Sequence, residues 1–227
     1  MRILIISATH QEIFPLLKNL IFVNKANEYM SSFSFQKESI DVLITGIGLP
    51  YTIFHLTQAL NEKKYDLVIN AGIAGSFKDK YTLGTVVNVV EEQFSDLGVE
   101  DKDKFYTAFD QKLILPDSLP FVNGKLSNKS DIISQKEFKK IPKVKGITIN
   151  TVSGNKKKIQ MVIEKFNPDI ETMENAGIFF VCLLKNIPFL CLRSISNRIE
   201  IRDKSKWNIP KSIECLNIQL IKILERL

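Results

Sequence analysis

The sequence predicts an α/β fold of three layers, in which a mixed β-sheet is flanked by helices. Two observations support this prediction: short aliphatic runs alternate with segments whose apolar residues recur at helical spacing, and glycine-rich or polar turns follow several of the aliphatic runs. The chain has 227 residues, of which 44% are hydrophobic and 25% are charged, as is ordinary for globular proteins. No internal repeat or low-complexity linker divides it, so we expect a single domain over residues 1–227.

The first half of the chain contains most of the predicted strands. Residues 2–7 form a continuous aliphatic run, which predicts a buried strand, and the helical spacing that follows predicts a helix over residues 11–20. The same patterns predict, in chain order, strands at 33–35 and 40–45, a helix at 51–61, and strands at 67–70 and 83–90.

The second half begins with the least regular stretch. Residues 96–145 are rich in turn signals such as Pro-Asp, Leu-Pro and Asn-Gly, so we expect loops there. The elements predicted after them are a strand at 146–152, a helix at 156–166, a helix at 173–185, a strand at 189–192 and an amphipathic helix at 209–227.

Charge and cysteine content narrow the classes of partner. The formal net charge is +6, but the lysines are scattered and form no basic stripe with interleaved aromatics, so we expect no nucleic-acid binding. No apolar run approaches the roughly 20 residues that span a bilayer, so we expect no membrane partner. Cys182, Cys191 and Cys215 lie in apolar segments without metal-ligand spacing, which predicts buried thiols in a cytoplasmic protein without a metal or cofactor.

Four segments near the ends of predicted strands are candidates for a site, because ligands bind at the carboxyl ends of strands in open α/β sheets. The first contains Glu12, three positions after Thr9. Glu12 is either the partner of Thr9 in a helix capping box or a general base that removes a proton from water.

The second candidate is a pair of glycine-rich turns. Glycine permits positive φ and the close approach of a ligand to the backbone, but it also serves in plain turns between strand and helix. Neither turn has the spacing of a dinucleotide-binding or P-loop motif. The pocket-lining candidates in these turns are Gly46, Ile47, Gly48, Ile73, Ala74 and Gly75.

The other two candidates lie in the second half of the chain. Glu174 opens a predicted helix, where the helix dipole favours a carboxylate; alternatively, it accepts hydrogen bonds from two ribose hydroxyls while Met173 packs on the sugar. Arg193, Ser196 and Asn197 follow a predicted buried strand, and a polar cluster there is better explained by a ligand than by the core.

Taken together, these segments resemble the nucleoside phosphorylase superfamily, in particular its methylthioadenosine/S-adenosylhomocysteine nucleosidase branch, over nearly the whole chain. Residues 94–101 and 195–207 are most similar to the futalosine hydrolases, a menaquinone-pathway group within that branch. The resemblance implies a nucleoside phosphorylase-like fold, hydrolysis of the N-glycosidic bond of a purine nucleoside, and a homodimer.

The resemblance also implies roles for individual residues. Glu12 matches the carboxylate that activates water, and Met173 and Glu174 match the ribose-binding pair. Arg193 and Ser196 match polar supports of the site, and the glycine-rich turns match loops that line the sugar and base pocket. Phe105 and Tyr106 lie in the region that reaches into the neighbouring subunit's site in dimers of this family.

Two positions depart from the nucleosidase pattern. The purine-stacking aromatic expected shortly after residues 151–154 is replaced by Asn155 and three lysines. Asn197 stands where nucleosidases have an aspartate that protonates purine N7. An amide can only donate a hydrogen bond, and its two N–H groups suit N7 and O6 of a 6-oxopurine, although asparagine can also pair with adenine.

The residues around the expected attack position favour water over phosphate. Glu12 would repel a phosphate dianion, and the turns near it contain no arginine to bind one. Arg198 and Arg202 either bind a carboxylate on a substrate such as futalosine or are solvated surface charges. Two alternatives remain open at this point: a methylthioadenosine/S-adenosylhomocysteine nucleosidase with an atypical acid, and a nucleoside-binding module without catalysis.

Overall fold

The computed structural model describes residues 1–129 and 140–227. The strands are β1 (Arg2–Ser7), β2 (Ile21–Lys25), β3 (Met30–Phe35), β4 (Glu38–Ile44), β5 (Leu67–Ser76), β6 (Val86–Phe94), β7 (Gly98–Asp101), β8 (Lys104–Thr107), β9 (Leu126–Ser127), β10 (Lys143–Thr148), β11 (Ile170–Thr172) and β12 (Phe189–Arg198). The α-helices are α1 (His10–Leu17), α2 (Leu49–Glu62), α3 (Lys156–Phe166), α4 (Asn175–Leu184) and α5 (Ile209–Leu224).

A ten-stranded mixed sheet organises the described residues, with the order β11-β10-β6-β12-β5-β1-β4-β3-β2 and with β9 paired to β6. Strand β1 runs parallel to β4 and β5, and β12 runs parallel to β5 but antiparallel to β6. Strand β11 pairs with β10 and also with the end of β5, so β5, β12, β6, β10 and β11 close on themselves. This closure brings β11 beside the carboxyl ends of β5 and β12.

Helices cover both faces of the sheet, which confirms the predicted fold class. Helices α1 and α5 pack on one face, and α2 and α4 pack on the other. The aliphatic run of β1 is explained by this layering: Ile3 and Ile5 point into the core beneath α1 and α5, whereas Leu4 and Ile6 point into the core beneath α2 and α4. No helix in the described part of the chain is both long and apolar enough to cross a membrane.

The predicted elements are present, with several differences at their ends. Helix α3 has the predicted bounds, whereas α4 begins later than predicted because a short strand, β11, precedes it. Strands β2, β7, β8, β9 and β11 are not predicted from the sequence pattern. Part of the stretch predicted as loops, residues 130–139, lies outside the described residues.

Strands β5 and β12 continue beyond the predicted strand ends at residues 70 and 192. The predicted glycine-rich turn at residues 70–76 is therefore wrong, whereas Gly46 and Gly48 do have positive φ, at 88° and 92°. Gly72 and Gly75 are needed for space instead. A Cβ atom on Gly72 would lie 2.8 Å from Glu12 Oε1, and one on Gly75 would collide with the side chain of Ile199.

Candidate functional site

Glu12, in the first turn of α1, is held by several hydrogen-bond donors. Its Oε2 accepts from the Ser7 hydroxyl at 3.2 Å and from the Thr9 N–H and hydroxyl at 3.0 and 2.9 Å. Its Oε1 accepts from the Ile73 N–H at 3.0 Å. Because each carboxylate oxygen has two lone pairs, Oε1 keeps one available for a further donor, and Glu12 remains 9% exposed.

Arg193, from the middle of β12, approaches the same point of the sheet. A Cβ atom on Gly72 would lie 2.8 Å from Glu12 Oε1 and 3.2 Å from Arg193 Nη1, so the two side chains meet over this glycine. Arg193 is 2% exposed, and its Nη1 donates to the Leu192 carbonyl at 2.9 Å. A buried guanidinium therefore lies near the Glu12 carboxylate.

Glu174 completes this cluster from the residue before α4. Its Oε1 accepts the Gly48 N–H at 2.9 Å, so the turn at residues 46–48 folds onto it. Burial raises the pKa of the Glu174 carboxyl and the charge of Glu12 raises it further, whereas Arg193 lowers it. Glu12, Glu174 and Arg193 thus lie close enough to influence one another, as the sequence predicts.

Asn197 lies near the end of β12, beside Gly75 of β5. Its Oδ1 accepts from the Ser196 hydroxyl at 2.8 Å, and its Nδ2 donates to the Arg198 carbonyl at 3.0 Å. One of its two N–H groups is therefore already used, which leaves one for a ligand. The contact of Asn197 with a purine base stays a prediction.

Glu171 is a buried acidic residue that the sequence pattern does not single out. It accepts the N–H of Ser153 at 3.1 Å and is also hydrogen-bonded to the Ser153 hydroxyl. Burial raises the pKa of the Glu171 carboxyl, and the bonds from Ser153 lower it. Glu171 and Asn197 both pair with Gly75, from β11 and β12, so they occupy one row of the sheet. The sequence does not point to Glu171, because β11 has only three residues and therefore shows no strand pattern.

The remaining candidates on the glycine-rich turns and beside Glu174 lie around the cluster. Ala74 is buried and accepts the Ser196 hydroxyl at 3.2 Å through its carbonyl, whereas Ile47 is 57% exposed. Met173 and Ile73 are partly buried.

The two arginines that follow Asn197 differ in their surroundings. Arg198 forms an ion pair with Asp79, whereas the guanidinium of Arg202 lies 5.9 Å from the ring centre of Trp207. A Cβ atom on Gly154 would lie 3.4 Å from Arg202 Cβ, so Arg202 borders the loop that carries Ser153.

Phe105 and Tyr106 lie on β8, in a hairpin with β7. Lys165 of α3 donates to the Phe105 carbonyl at 3.2 Å, so the hairpin packs on a helix of its own chain. A cleft of about 1110 Å³ between the hairpin and α3 is lined by both residues and by Asn155, and Glu12 and Glu174 do not line it. The contact of Phe105 and Tyr106 with a partner subunit stays a prediction.

The sequence of this chain is similar to those of several known proteins. A family model described as "Phosphorylase superfamily" matches residues 2–225. A futalosine hydrolase of Streptomyces coelicolor is 28% identical over 159 residues, 70% of this chain and 65% of that protein, which is slightly under two thirds of its length. A 5'-methylthioadenosine/S-adenosylhomocysteine nucleosidase of Bacillus licheniformis is 28% identical over 207 residues, 87% of this chain and 86% of that protein.

Two solved structures have the same fold. Futalosine hydrolase of Helicobacter pylori superposes with a TM-score of 0.83 and 16% identity, over 100% of this chain and 98% of that one. A mutant nucleosidase of Helicobacter pylori, solved with 5'-methylthioadenosine in its active site, gives a TM-score of 0.80 and 17% identity, over 100% and 99% of the two chains.

Proposed function

Since the chain belongs to the phosphorylase superfamily and is an N-glycosidase of the family of methylthioadenosine/S-adenosylhomocysteine nucleosidases and futalosine hydrolases, we propose that it hydrolyses a 6-oxopurine nucleoside. The substrate we favour is futalosine, which would yield hypoxanthine and dehypoxanthine futalosine. The observation that carries the proposal is the convergence of Glu12, Glu174 and Arg193 around Gly72 and Gly48.

The chemistry follows from the charges that develop as the glycosidic bond breaks. Positive charge builds on the sugar in an oxocarbenium-like transition state, and nearby carboxylates stabilise it. Glu174 accepts hydrogen bonds from the ribose hydroxyls, and Oε1 of Glu12 takes a proton from the attacking water. Arg193 lies beside the two carboxylates and lowers the pKa of the Glu174 carboxyl, against the raising effect of burial.

The charge balance of the cluster favours water as the nucleophile. Two carboxylates, Glu12 and Glu174, surround the buried Arg193, so the described cluster is anionic overall when both are ionised. A phosphate dianion would be repelled there, and phosphorolysis needs a pocket rich in arginine or backbone donors. Base release should therefore not depend on added phosphate.

The base side of the site supports a 6-oxopurine. The free N–H of Asn197 can donate to N7 of the leaving base but cannot protonate it. Hypoxanthine leaves more easily than adenine and needs less help from an acid. The second candidate is an adenosine-type nucleosidase. It is favoured by the Bacillus licheniformis nucleosidase, which is 28% identical to this chain over 87% of its length.

Arg202 is the better candidate for a carboxylate on the 5' side of the substrate. Arg198 already pairs with Asp79, whereas Arg202 has no ion pair among the described residues and borders the Ser153 loop. The Arg202→Gln variant should raise KM for futalosine and leave KM for inosine unchanged. An equal effect on both substrates would remove Arg202 from the site.

A substrate panel tests the proposal. The protein is incubated with futalosine, inosine and 5'-methylthioadenosine, each with and without phosphate, and the free bases are separated. We expect hypoxanthine from the 6-oxopurine nucleosides at a rate that phosphate does not change. Faster release of adenine would favour the second candidate, and strict dependence on phosphate would contradict hydrolysis.

A further inference from the structure

Glu92, in the middle of β6, is an acidic residue that the proposed chemistry does not use. Its side chain is completely buried, and its Oε1 accepts the Thr148 hydroxyl at 3.2 Å and the Gln93 N–H at 3.3 Å. The neighbouring strand provides the space, because a Cβ atom on Gly146 would collide with Oε2 of Glu92. Burying a carboxyl group lowers the free energy of unfolding, so its presence at this position indicates a functional role.

A chain of hydrogen bonds connects Glu92 to the start of α4. The Thr148 hydroxyl, which donates to Glu92, accepts the N–H of Ala176 at 2.9 Å. This N–H belongs to the first turn of the helix, where backbone donors have no partner within the helix. Ala176 lies two positions after Glu174, so this series of hydrogen bonds ends next to the proposed ribose-binding carboxylate.

Asn175 adds a second connection to the same helix end. It is fully buried, and its Oδ1 accepts from Asn70 of β5 at 3.1 Å. Its amide also acts on Glu92, since it favours the ionised form of that carboxyl. The residue directly after Glu174 is thus hydrogen-bonded to β5.

The electrostatic surroundings keep Glu92 largely uncharged at neutral pH. Burial raises the pKa of Glu92 to about 8, against the lowering effects of Asn175, the Gln93 N–H, Thr148 and Arg193. The other titratable group that faces it is the thiol of Cys191 on β12, whose pKa burial raises to about 12. Arg193 is a charged group that acts on Glu92, and it lowers the pKa of that carboxyl.

We propose that Glu92 is a positioning residue, which holds the first turn of α4 through Thr148 and thereby places Glu174 opposite Arg193 and Glu12. The inference rests on the proposed function, in which Glu174 binds the ribose. It has a consequence at alkaline pH: an ionised Glu92 would compete with Glu12 and Glu174 for Arg193 and disturb substrate binding.

Two substitutions and one matched control test this. Glu92→Gln keeps the shape and an acceptor for Thr148, and Glu92→Leu removes the acceptor. Glu91→Gln is the control, because the neighbouring Glu91 forms an ion pair with Lys125 at 2.9 Å and is not part of the network. Steady-state kinetics with futalosine and inosine are measured from pH 6 to 9.5.

We expect the kcat/KM of wild type to decline above about pH 8, and Glu92→Gln to keep kcat/KM at pH 7 and to lack that decline. Glu92→Leu should raise KM by about tenfold with a smaller change in kcat, as for the loss of one buried hydrogen bond that orders the ribose site. The Glu91→Gln control should match wild type at every pH. An alkaline decline that survives in Glu92→Gln, or an unchanged KM in Glu92→Leu, would overturn the proposal.

Urea unfolding separates this inference from the proposed function, since it needs no turnover. A folded-state pKa above the ordinary 4.5 means that the folded protein holds a proton that the unfolded chain has lost, so this group's contribution to stability falls as pH rises from about 4.5 to about 8. The unfolding midpoint of Glu92→Gln should rise relative to wild type over that range. A constant difference would overturn the Glu92 assignment, whereas inactivity towards nucleosides would overturn the proposed function.

Discussion

At the scale of single residues, Glu12 combines two roles that its sequence context presents as alternatives. Its Oε2 accepts the Thr9 N–H, which is the contact of a helix cap, while its Oε1 faces Gly72 and Arg193. The two oxygens serve different purposes, so the capping contact orients the carboxylate for the proposed proton transfer. A helix cap is therefore not evidence against a catalytic role at this position.

The acidic residues of the site differ in how far the sequence predicts them. Glu12 and Glu174 stand in short local patterns, next to a strand end and a helix start, and the structure brings them to one cluster. Glu92 and Glu171 have no such local signal. Their environment depends on which strands pair across the sheet, β6 with β10 and β11 with β5, and no local spacing encodes those pairings.

The raised pKa of Glu174 predicts a pH effect on substrate binding. A carboxyl with a raised pKa takes up its proton at a higher pH than the ordinary 4.5, and the protonated form is a weaker acceptor for the ribose hydroxyls. KM should therefore rise as pH falls through that raised value. Initial rates between pH 4.5 and 8 measure this, and Glu174→Gln should have a high KM that no longer varies with pH. A wild-type KM that is flat over this range would contradict the assigned role.

At the scale of elements, strand length is the main difference between prediction and structure. The predicted strand ends at residue 192 because polar residues such as Arg193 and Asn197 follow it, yet β12 continues through both. The strand continues because β5 beside it carries Gly72 and Gly75, which leave room for these side chains. The register between β12 and β5 shifts between Ile195 and Asn197, as it does at a β-bulge.

Helix α5 supports the site through one buried amide. The Asn217 side chain donates to the Glu12 carbonyl at 2.8 Å and accepts the Leu16 N–H at 2.9 Å, so it joins α5 to both ends of α1. Asn217→Ala should lower the free energy of unfolding by about 2 kcal/mol, because two buried backbone groups lose their partner. Urea denaturation measures this, with Asn61→Ala as the control, since Asn61 is exposed and bonds to Lys185. Equal stability of the two variants would contradict the supporting role.

At the scale of the whole molecule, the fold class is predictable from local sequence patterns, whereas the assembly of subunits is not. The layered sheet is predictable because strand and helix patterns alternate along the chain, and the family match over residues 2–225 agrees with it. The single-domain prediction is testable by one cooperative unfolding transition. The arrangement of subunits is not predictable in the same way, because exposed apolar residues alone do not specify which surface covers them.

The expected homodimer has a candidate surface on α2. Ile47 lies in the turn that contacts Glu174, and Tyr51 and Phe54 follow it on α2; the three side chains are 57%, 59% and 64% exposed. Phe54→Glu should convert a dimer into a monomer, as sedimentation velocity would show. Val23→Glu is the control, since Val23 is similarly exposed on β2. A wild-type protein that sediments as a monomer would contradict the prediction.

The most direct test of the central claim is hypoxanthine release from futalosine in phosphate-free buffer by wild type and Glu12→Gln. If Glu12 activates water while Glu174 holds the ribose, Glu12→Gln should reduce kcat by about 10²–10⁴-fold and leave KM nearly unchanged. A Glu12→Gln variant that releases hypoxanthine at the wild-type rate would contradict the account.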